Sequence, residues 1–308
     1  MAINMAIGVD VFTFEQYMKN FIMKLLLRVL VGLIGLLTLA FLVVYFFGTS
    51  DLRTDTAENN SNPEKAAQLL AQMAKAHQIE AWDSIESYEV IFEDEFYGFM
   101  GATGNPFAEN KAKFRLQYLS NSYDGRLTIL SGKETGSFWG LQSWQTYKGE
   151  GEGAPQFKKH INAKFWVPTY QYFIEFPKRI LKANALAYAG EKVINHIECE
   201  GVIASWNTTA PQRKIDQYLI WIDKDTKRIV KLEYTIREMY NFLTGAAYFQ
   251  EYQEFDGVLL PTRFPVESNL VNEGLLHEMR IHDFKKKTIP TTVLRPNAAL
   301  EQMGDQKE

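Results

Sequence analysis

The chain has one cysteine, Cys199, in 308 residues. No internal disulfide can form, so a domain outside the cytoplasm must be held by its core alone. A lipoprotein signal is excluded too, because it needs a cysteine at the cleavage point. Basic residues are in slight deficit: 33 Lys and Arg against 37 Asp and Glu leave a formal charge of −4. Nucleic acid selects a basic face, so it is not an expected partner. The five histidines form no H-x-H or H-E-x-x-H pattern. With no second cysteine, neither a metal nor any other cofactor is expected. His277 and His282 stand five apart on one expected strand and so point to opposite faces.

Catalytic patterns are missing as well. No G-x-S-x-G elbow occurs. Gly149, Gly151 and Gly153 alternate with Glu150 and Glu152, which would repel a phosphate, so this stretch reads as a loop. Cys199 shares a strand face with Ile197, Gly201 and Ile203 and reads as a small buried hydrophobe. Glu198 and Glu200 then lie on the solvated face. No nucleophile, base and orienter can be named together, and an enzyme is not expected.

What the sequence has is an uncharged run of nineteen residues, VLVGLIGLLTLAFLVVYFF, at 29–47. As a helix it is about 28 Å long, enough to cross a bilayer core of about 30 Å. Lys19, Lys24 and Arg28 precede it; Asp51, Asp55 and Glu58 surround a lone Arg53 after it. The positive-inside rule puts the N-terminus in the cytoplasm and the rest of the chain on the far side of the membrane. Gly48 and Ser50 would suit a signal peptidase cutting after Ser50, but the run exceeds the usual apolar core of about 7–15 residues, which favours a retained anchor. Met23 opens a short basic segment that leads into the run. Residues 1–22 are therefore either an upstream extension or a short disordered cytoplasmic tail.

The expected organisation is a cytoplasmic tail at 1–28, a transmembrane helix at 29–47, a flexible linker at 48–62, one β domain at 63–290 and a disordered tail at 291–308. Asn62-Pro63 is a helix start, and Leu69, Leu70, Met73, Ala74 and His77 repeat at helical spacing through about residue 82. Strands follow. Phe114, Leu116 and Tyr118 alternate with Lys113, Arg115 and Gln117; residues 137–147 read as a single strand. Val230, Leu232, Tyr234 and Ile236 share one face of another strand, and Asp256-Gly257 marks a hairpin between 246–255 and 257–267. Nine to eleven strands in an antiparallel sheet would curl rather than lie flat. Within 163–182, Trp166, Tyr170, Phe173 and Pro177 fall at helical spacing, in pieces separated by two prolines. This aromatic insertion should lie across the concave face of the sheet. Lys285-Lys286-Lys287 is a solvated strand end, or alternatively a contact for anionic head groups.

Two motifs carry a resemblance. Tyr218-Leu-Ile-Trp221-Ile-Asp223, followed by Thr226 and Lys231-Leu-Glu-Tyr234, is similar to a strand ending in W-I-D, a turn and a resumed strand in the LolA/LolB-like family of lipoprotein carriers; Phe255-Asp256-Gly257-Val-Leu-Leu-Pro261 is similar to that family's D-G-x-x-x-P hairpin. The resemblance covers about residues 64–290. It implies a mostly β, α+β fold, an unclosed half-barrel whose helices lid an apolar cavity for acyl chains. The implied function is binding of lipid or lipidated protein in the bacterial envelope, with the anchor in the inner membrane and the domain in the periplasm; the alternatives are an envelope sensor with a protein partner on the same fold and, less favoured, an enzyme with an unrecognised site. The candidate ligand-binding residues are Phe114, Leu116, Tyr118, Trp166, Tyr170, Phe173, Leu232 and Tyr234. The chain departs from the family in using a helix as its anchor. It also lacks the soluble carrier's cavity arginine, because Arg115 has outward parity.

Overall fold

The structure, a computed structural model, describes residues 4–268 and 274–304. Helix α1 (Asn4–Phe47) takes in the apolar run and most of what precedes it. The tail expected to be disordered is therefore helical from residue 4, while residues 1–3 lie outside the described residues. The physical reason is composition: no proline and a single glycine, Gly8, interrupt residues 4–31, and Met, Leu, Lys and Gln propagate a helix already nucleated by the run. Its stretch Gln16–Phe47 is long and apolar enough to cross a membrane, and its most apolar part touches nothing else in the fold.

Two short helices follow, α2 (Asp55–Asn59) and α3 (Pro63–Ala76). Asn62 caps α3, its Oδ1 accepting the Lys65 N–H at 3.1 Å, and Pro63 fills the first helical position. The helix stops at Ala76 rather than near 82, because Gln78 turns left-handed (φ 54°) into a separate tight turn at Ile79–Trp82. The first half of the sheet comprises β1 (Ser87–Phe96), then, after helix α4 (Gly98–Gly104), β2 (Lys111–Leu119), β3 (Gly125–Ile129), β4 (Ser137–Gln142), β5 (Gln145–Glu150) and β6 (Gln156–Phe157). Helix α5 (Ile161–Arg179) separates it from β7 (Ala185–Ile194), β8 (Ile197–Ser205), β9 (Tyr218–Asp223) and β10 (Ile229–Thr235). The chain ends with β11 (Thr244–Tyr248), β12 (Gln250–Phe255), β13 (Val258–Ser268), β14 (His277–Lys286) and the short helix α6 (Thr291–Leu294).

All fourteen strands join one antiparallel sheet in the order β6-β5-β4-β3-β2-β1-β14-β13-β11-β10-β9-β8-β7, with β12 on β13. The end strands β6 and β7 do not pair, so the sheet curls without closing. β1 lies between β2 and β14, joining residues almost 200 positions apart, such as Tyr88 and Lys286. Asp256 (φ 48°) and Gly257 (φ 76°) form the expected two-residue turn with both residues left-handed, where glycine carries no Cβ penalty.

Two local expectations are corrected. The stretch 137–147 is a hairpin, not a strand: Ser143 (φ 47°) and Trp144 (φ 62°) make the turn between β4 and β5 without a glycine. Tertiary contacts hold that backbone, since Asp124 Oδ1 accepts the Ser143 N–H at 2.6 Å and the Trp144 ring packs on Tyr123. In β10, a bulge between Ile229 and Lys231 reverses the alternation, so Ile229 joins Leu232 and Tyr234 in the main core while Val230 turns to the opposite face. The main core fills the concave side; a smaller cluster of Ala57, Ala187, Cys199, Ile203 and Trp221 lies on the convex side.

The segments expected to be a flexible linker and a disordered tail both contact the sheet. Residues 48–62 run along the convex face: Thr54 Oγ1 donates to Ala189 O at 2.8 Å, and Ala57 is buried in the smaller cluster. The Tyr188 N–H of edge strand β7 then donates to Ser61 O, covering an edge that would otherwise be open to pairing. At the other end of the chain, Leu294 is buried, Arg295 pairs with Asp124, and Gln142 exchanges hydrogen bonds with Asn297. Residues 305–308 of that tail lie outside the described residues.

Candidate functional site: the concave face and its helix

α5 begins at His160, whose Nδ1 accepts the Ala163 N–H at 3.0 Å, and crosses the concave face. It is continuous through Pro168 and Pro177, where short pieces split by these prolines were expected. Proline removes one intrahelical donor and crowds the preceding turn. Packing outweighs that cost here, because Val167, Tyr170, Phe173, Ile174 and Phe176 are all buried.

The eight candidate residues meet in one core. Phe114, Leu116, Tyr118, Tyr170, Phe173 and Leu232 are buried, whereas Trp166 and Tyr234 are half-buried against them. Tyr170 lies 5.1 Å, centroid to centroid, from both Phe92 and Phe114, and Trp166 lies 5.3 Å from Tyr170. Toward the other end of the helix, Phe173 meets Tyr234 at 5.4 Å and Phe264 at 6.3 Å. The space expected as an open apolar cavity is thus occupied by the protein's own rings. Among the described residues, a cleft of about 560 Å³ opens elsewhere, beside Glu89, Asp256 and Lys285–Lys287, and one of about 10 Å³ lies beside Phe107 and Ile129.

Polar residues that the sequence reading passed over fix the helix to the sheet. Glu175 Oε1 accepts from the Tyr88 hydroxyl at 2.6 Å and from Gln171 Nε2 at 2.9 Å. Its other oxygen pairs with Arg179 at 2.8 Å, and both side chains of this pair are buried. Arg179 also donates to Ser122 O at 2.9 Å and lies over the Tyr123 ring. One turn before these, the Tyr118 hydroxyl donates to Val167 O at 2.7 Å. Near the start of the helix, the Tyr170 hydroxyl donates to Asp94 Oδ2 at 2.8 Å. The buried Asp94 reaches His277 Nδ1 with its second oxygen, also at 2.8 Å. Burial first, and then the adjacent carboxylate, raises the Tyr88 and Tyr170 hydroxyls far above the ordinary phenol range, so both remain protonated donors.

The sequence did carry a sign of this network. Asp94 and His277 occupy the apolar phase of β1 and β14, alongside Phe92 and Phe96 and alongside Met279 and Ile281. Gln171, Glu175 and Arg179 repeat every four residues along α5. Arg115, by contrast, is outward as expected and lies 3.5 Å from Glu89. The buried guanidinium comes from the helix, not from a strand.

Other acidic and thiol groups have structural partners. Burial alone would raise the Glu200 carboxyl, but hydrogen bonding and charge from Lys65, 2.8 Å away, hold it below its ordinary value. Glu200 thereby ties the first turn of α3 to β8. Burial pushes the Cys199 thiol up to about 11, which leaves it un-ionised and unreactive at neutral pH.

No family model matches the sequence, and no curated protein matches it. Among solved structures, the chain is similar to a LolA superfamily protein of Nitrosomonas europaea, at 12% identity and a TM-score of 0.48, over 74% of this chain and 96% of that one. It is similar to a DUF1329 family protein of Desulfovibrio piger, at 10% identity and a TM-score of 0.47, over 76% and 98%. It is also similar to a putative outer membrane lipoprotein-sorting protein domain of Vibrio parahaemolyticus, at 13% identity and a TM-score of 0.45, over 74% and 94%.

Proposed function

We propose that this chain is a membrane-anchored, extracytoplasmic binding protein for lipid or lipidated protein. One observation carries the reading: an unclosed sheet presents a concave aromatic face, and one amphipathic helix covers it through a few discrete polar contacts. In this closed form Trp166, Tyr170 and Phe173 occupy the place an acyl chain would take. Loading requires α5 to lift or shift. Each methylene then buried contributes about 0.8 kcal/mol, so eight contribute roughly 6 kcal/mol before the cost of moving the helix. The filled interior also favours a second reading, an envelope sensor that binds a protein partner and no lipid.

Organic extraction of the purified full-length protein, followed by mass spectrometry, separates the two. Stoichiometric lipid supports the first, and a stable protein partner without lipid supports the second. Trp166→Ala sharpens the comparison. If α5 is a movable lid, this change weakens fluorescent fatty-acid binding and costs less than the 3–5 kcal/mol usual for a buried aromatic, read from urea midpoints. A full loss of stability, with no fatty acid bound by the wild type, would overturn the carrier reading.

The anchor has its own test. The uncharged run at 29–47 and the cations before it lead us to expect the full chain to stay with membranes through an alkaline carbonate wash. In spheroplasts its β domain should be open to added protease. Release of a soluble form beginning at Asp51 would establish a cleaved signal instead.

A further inference from the structure

We infer that one end of the half-barrel is seated in the lipid head-group layer, so that the domain sits on its membrane in a fixed orientation. The inference rests on the reading of α1 as an anchor. Its starting point is how little chain separates helix from domain. α1 ends at Phe47, and by Ser50 the backbone is already bound to the loop after β10: the Ser50 N–H donates to Asn241 O at 2.9 Å, and Arg237 donates to Ser50 O. Two contacts reach back into the helix itself. Arg213 Nη1 donates to Phe46 O at 2.7 Å, and the Tyr45 and Tyr240 rings lie 6.0 Å apart. Three residues of chain cover at most about 10 Å. The head-group layer is about 5–8 Å deep on each side of the hydrocarbon. That reach alone would clear the layer, but Arg213 and Tyr240 touch Phe46 and Tyr45, the last residues of the span, and so hold this loop at the level of the head groups.

The sheet register shows what else is at that level. Phe96, His277, Val266, Ala247 and Leu232 form one row across five neighbouring strands. β1 and β10 run in the same direction through this row, so the loops that follow them leave the sheet at the same end. The loop after β10 exposes Met239 and Tyr240, and Arg213 and Lys214 are exposed beside it. The loop after β1 exposes Phe99 at 84% of its surface; Ile161, at 74%, stands next to it because Asn162 Nδ2 donates to Pro106 O at 3.4 Å. Large apolar side chains with arginine and lysine nearby suit the boundary between acyl chains and phosphates. The Trp166 ring, near the start of α5, meets Phe96 and His277 edge-on, in this same row. A lipid entering from the bilayer would therefore meet the Trp166 end of α5 first.

The same geometry moves the lysine cluster away from lipid. Lys286 pairs with Tyr88 at the opposite end of β14, nine residues from His277 and so about 30 Å away along the strand. On this seating Lys285–Lys287 face away from the membrane, which favours reading them as a solvated strand end rather than as a contact for its head groups.

The test uses the full chain in vesicles of phosphatidylethanolamine and phosphatidylglycerol, with a bimane dye on single cysteines in a Cys199→Ala background. Leu36→Cys reports the span, Phe99→Cys and Tyr240→Cys report the rim, and Lys286→Cys reports the far end. Doxyl-labelled lipid should quench the dye at 36, 99 and 240 and leave it unchanged at 286. Quenching at 36 but not at 99 and 240 overturns the seated rim while leaving the anchor intact. Quenching at 99 and 240 without quenching at 36 supports the rim and overturns the anchor. Absence of quenching at all three overturns both.

Discussion

Arg179→Ala is expected to destabilise the domain by about 3–5 kcal/mol, the usual cost of leaving one member of a buried ion pair alone. The guanidinium is 2.8 Å from Glu175, and both side chains are almost wholly shielded from water. Removing it strands the Glu175 carboxylate with only the Tyr88 and Gln171 donors and leaves the Ser122 carbonyl with Gln171 Nε2 as its remaining side-chain donor. Glu175→Ala in the same chain removes the stranded charge, so the double variant should be more stable than the sum of the two losses implies. A coupling of about 2 kcal/mol lies within the range for residues in direct contact. Urea denaturation of the four proteins of this cycle measures it directly. Additive losses would mean that the pair contributes nothing specific to holding α5.

Lowering the pH should remove stability through His77. Its ring is buried at the end of α3, where Nε2 accepts the Ile229 N–H at 3.2 Å, so the neutral ring carries its proton on Nδ1. Burial, with a smaller contribution from the charge on Arg228, lowers its pKa from 6.5 to about 3. The sign follows from proton counting. Between pH 3 and 6.5 the unfolded chain binds a proton at this site that the folded chain refuses. Stability at this site is therefore fully present above pH 6.5 and falls by about 1.4 kcal/mol for each unit below it, until the folded pKa is reached. His77→Gln keeps an acceptor for Ile229 and cannot titrate. From pH 6.5 down to 4.5, the wild type should lose about 2–3 kcal/mol more than the variant. Parallel stability curves would show that the folded protein accommodates the charged ring.

Both predictions concern the surfaces on which helices meet the sheet, and the sequence disclosed those surfaces unevenly. Periodicity revealed the inward faces: Phe114, Leu116 and Tyr118 are buried as their alternation requires, and Trp166, Tyr170 and Phe173 share the inner side of α5. It left out the polar residues on those same faces. Asp94, His277 and Glu175 interrupt otherwise apolar patterns, and nothing local shows that a hydroxyl waits opposite each carboxylate. The bulge at Ile229 escaped for a related reason. A single extra residue reverses the parity of everything before it, and only pairing with β9 reveals it.

By itself the sequence determined the apolar helix, the strand-rich character of the domain, the inward faces of its strands and the turn at Asp256-Gly257. Each depends on side-chain order within a few residues, which solvation and backbone sterics read directly. Tertiary structure alone decided that residues 48–62 wrap the sheet edge, that Ser143 and Trp144 form a turn, and that α5 runs unbroken through Pro168. It also decided that the concave face is filled and that the rim beside α1 is apolar. In each of these the local preference is weak or opposed, and contacts from residues distant in sequence outweigh it. Asp124 stabilises the left-handed Ser143, and the aromatic core outweighs the hydrogen bond lost at Pro168.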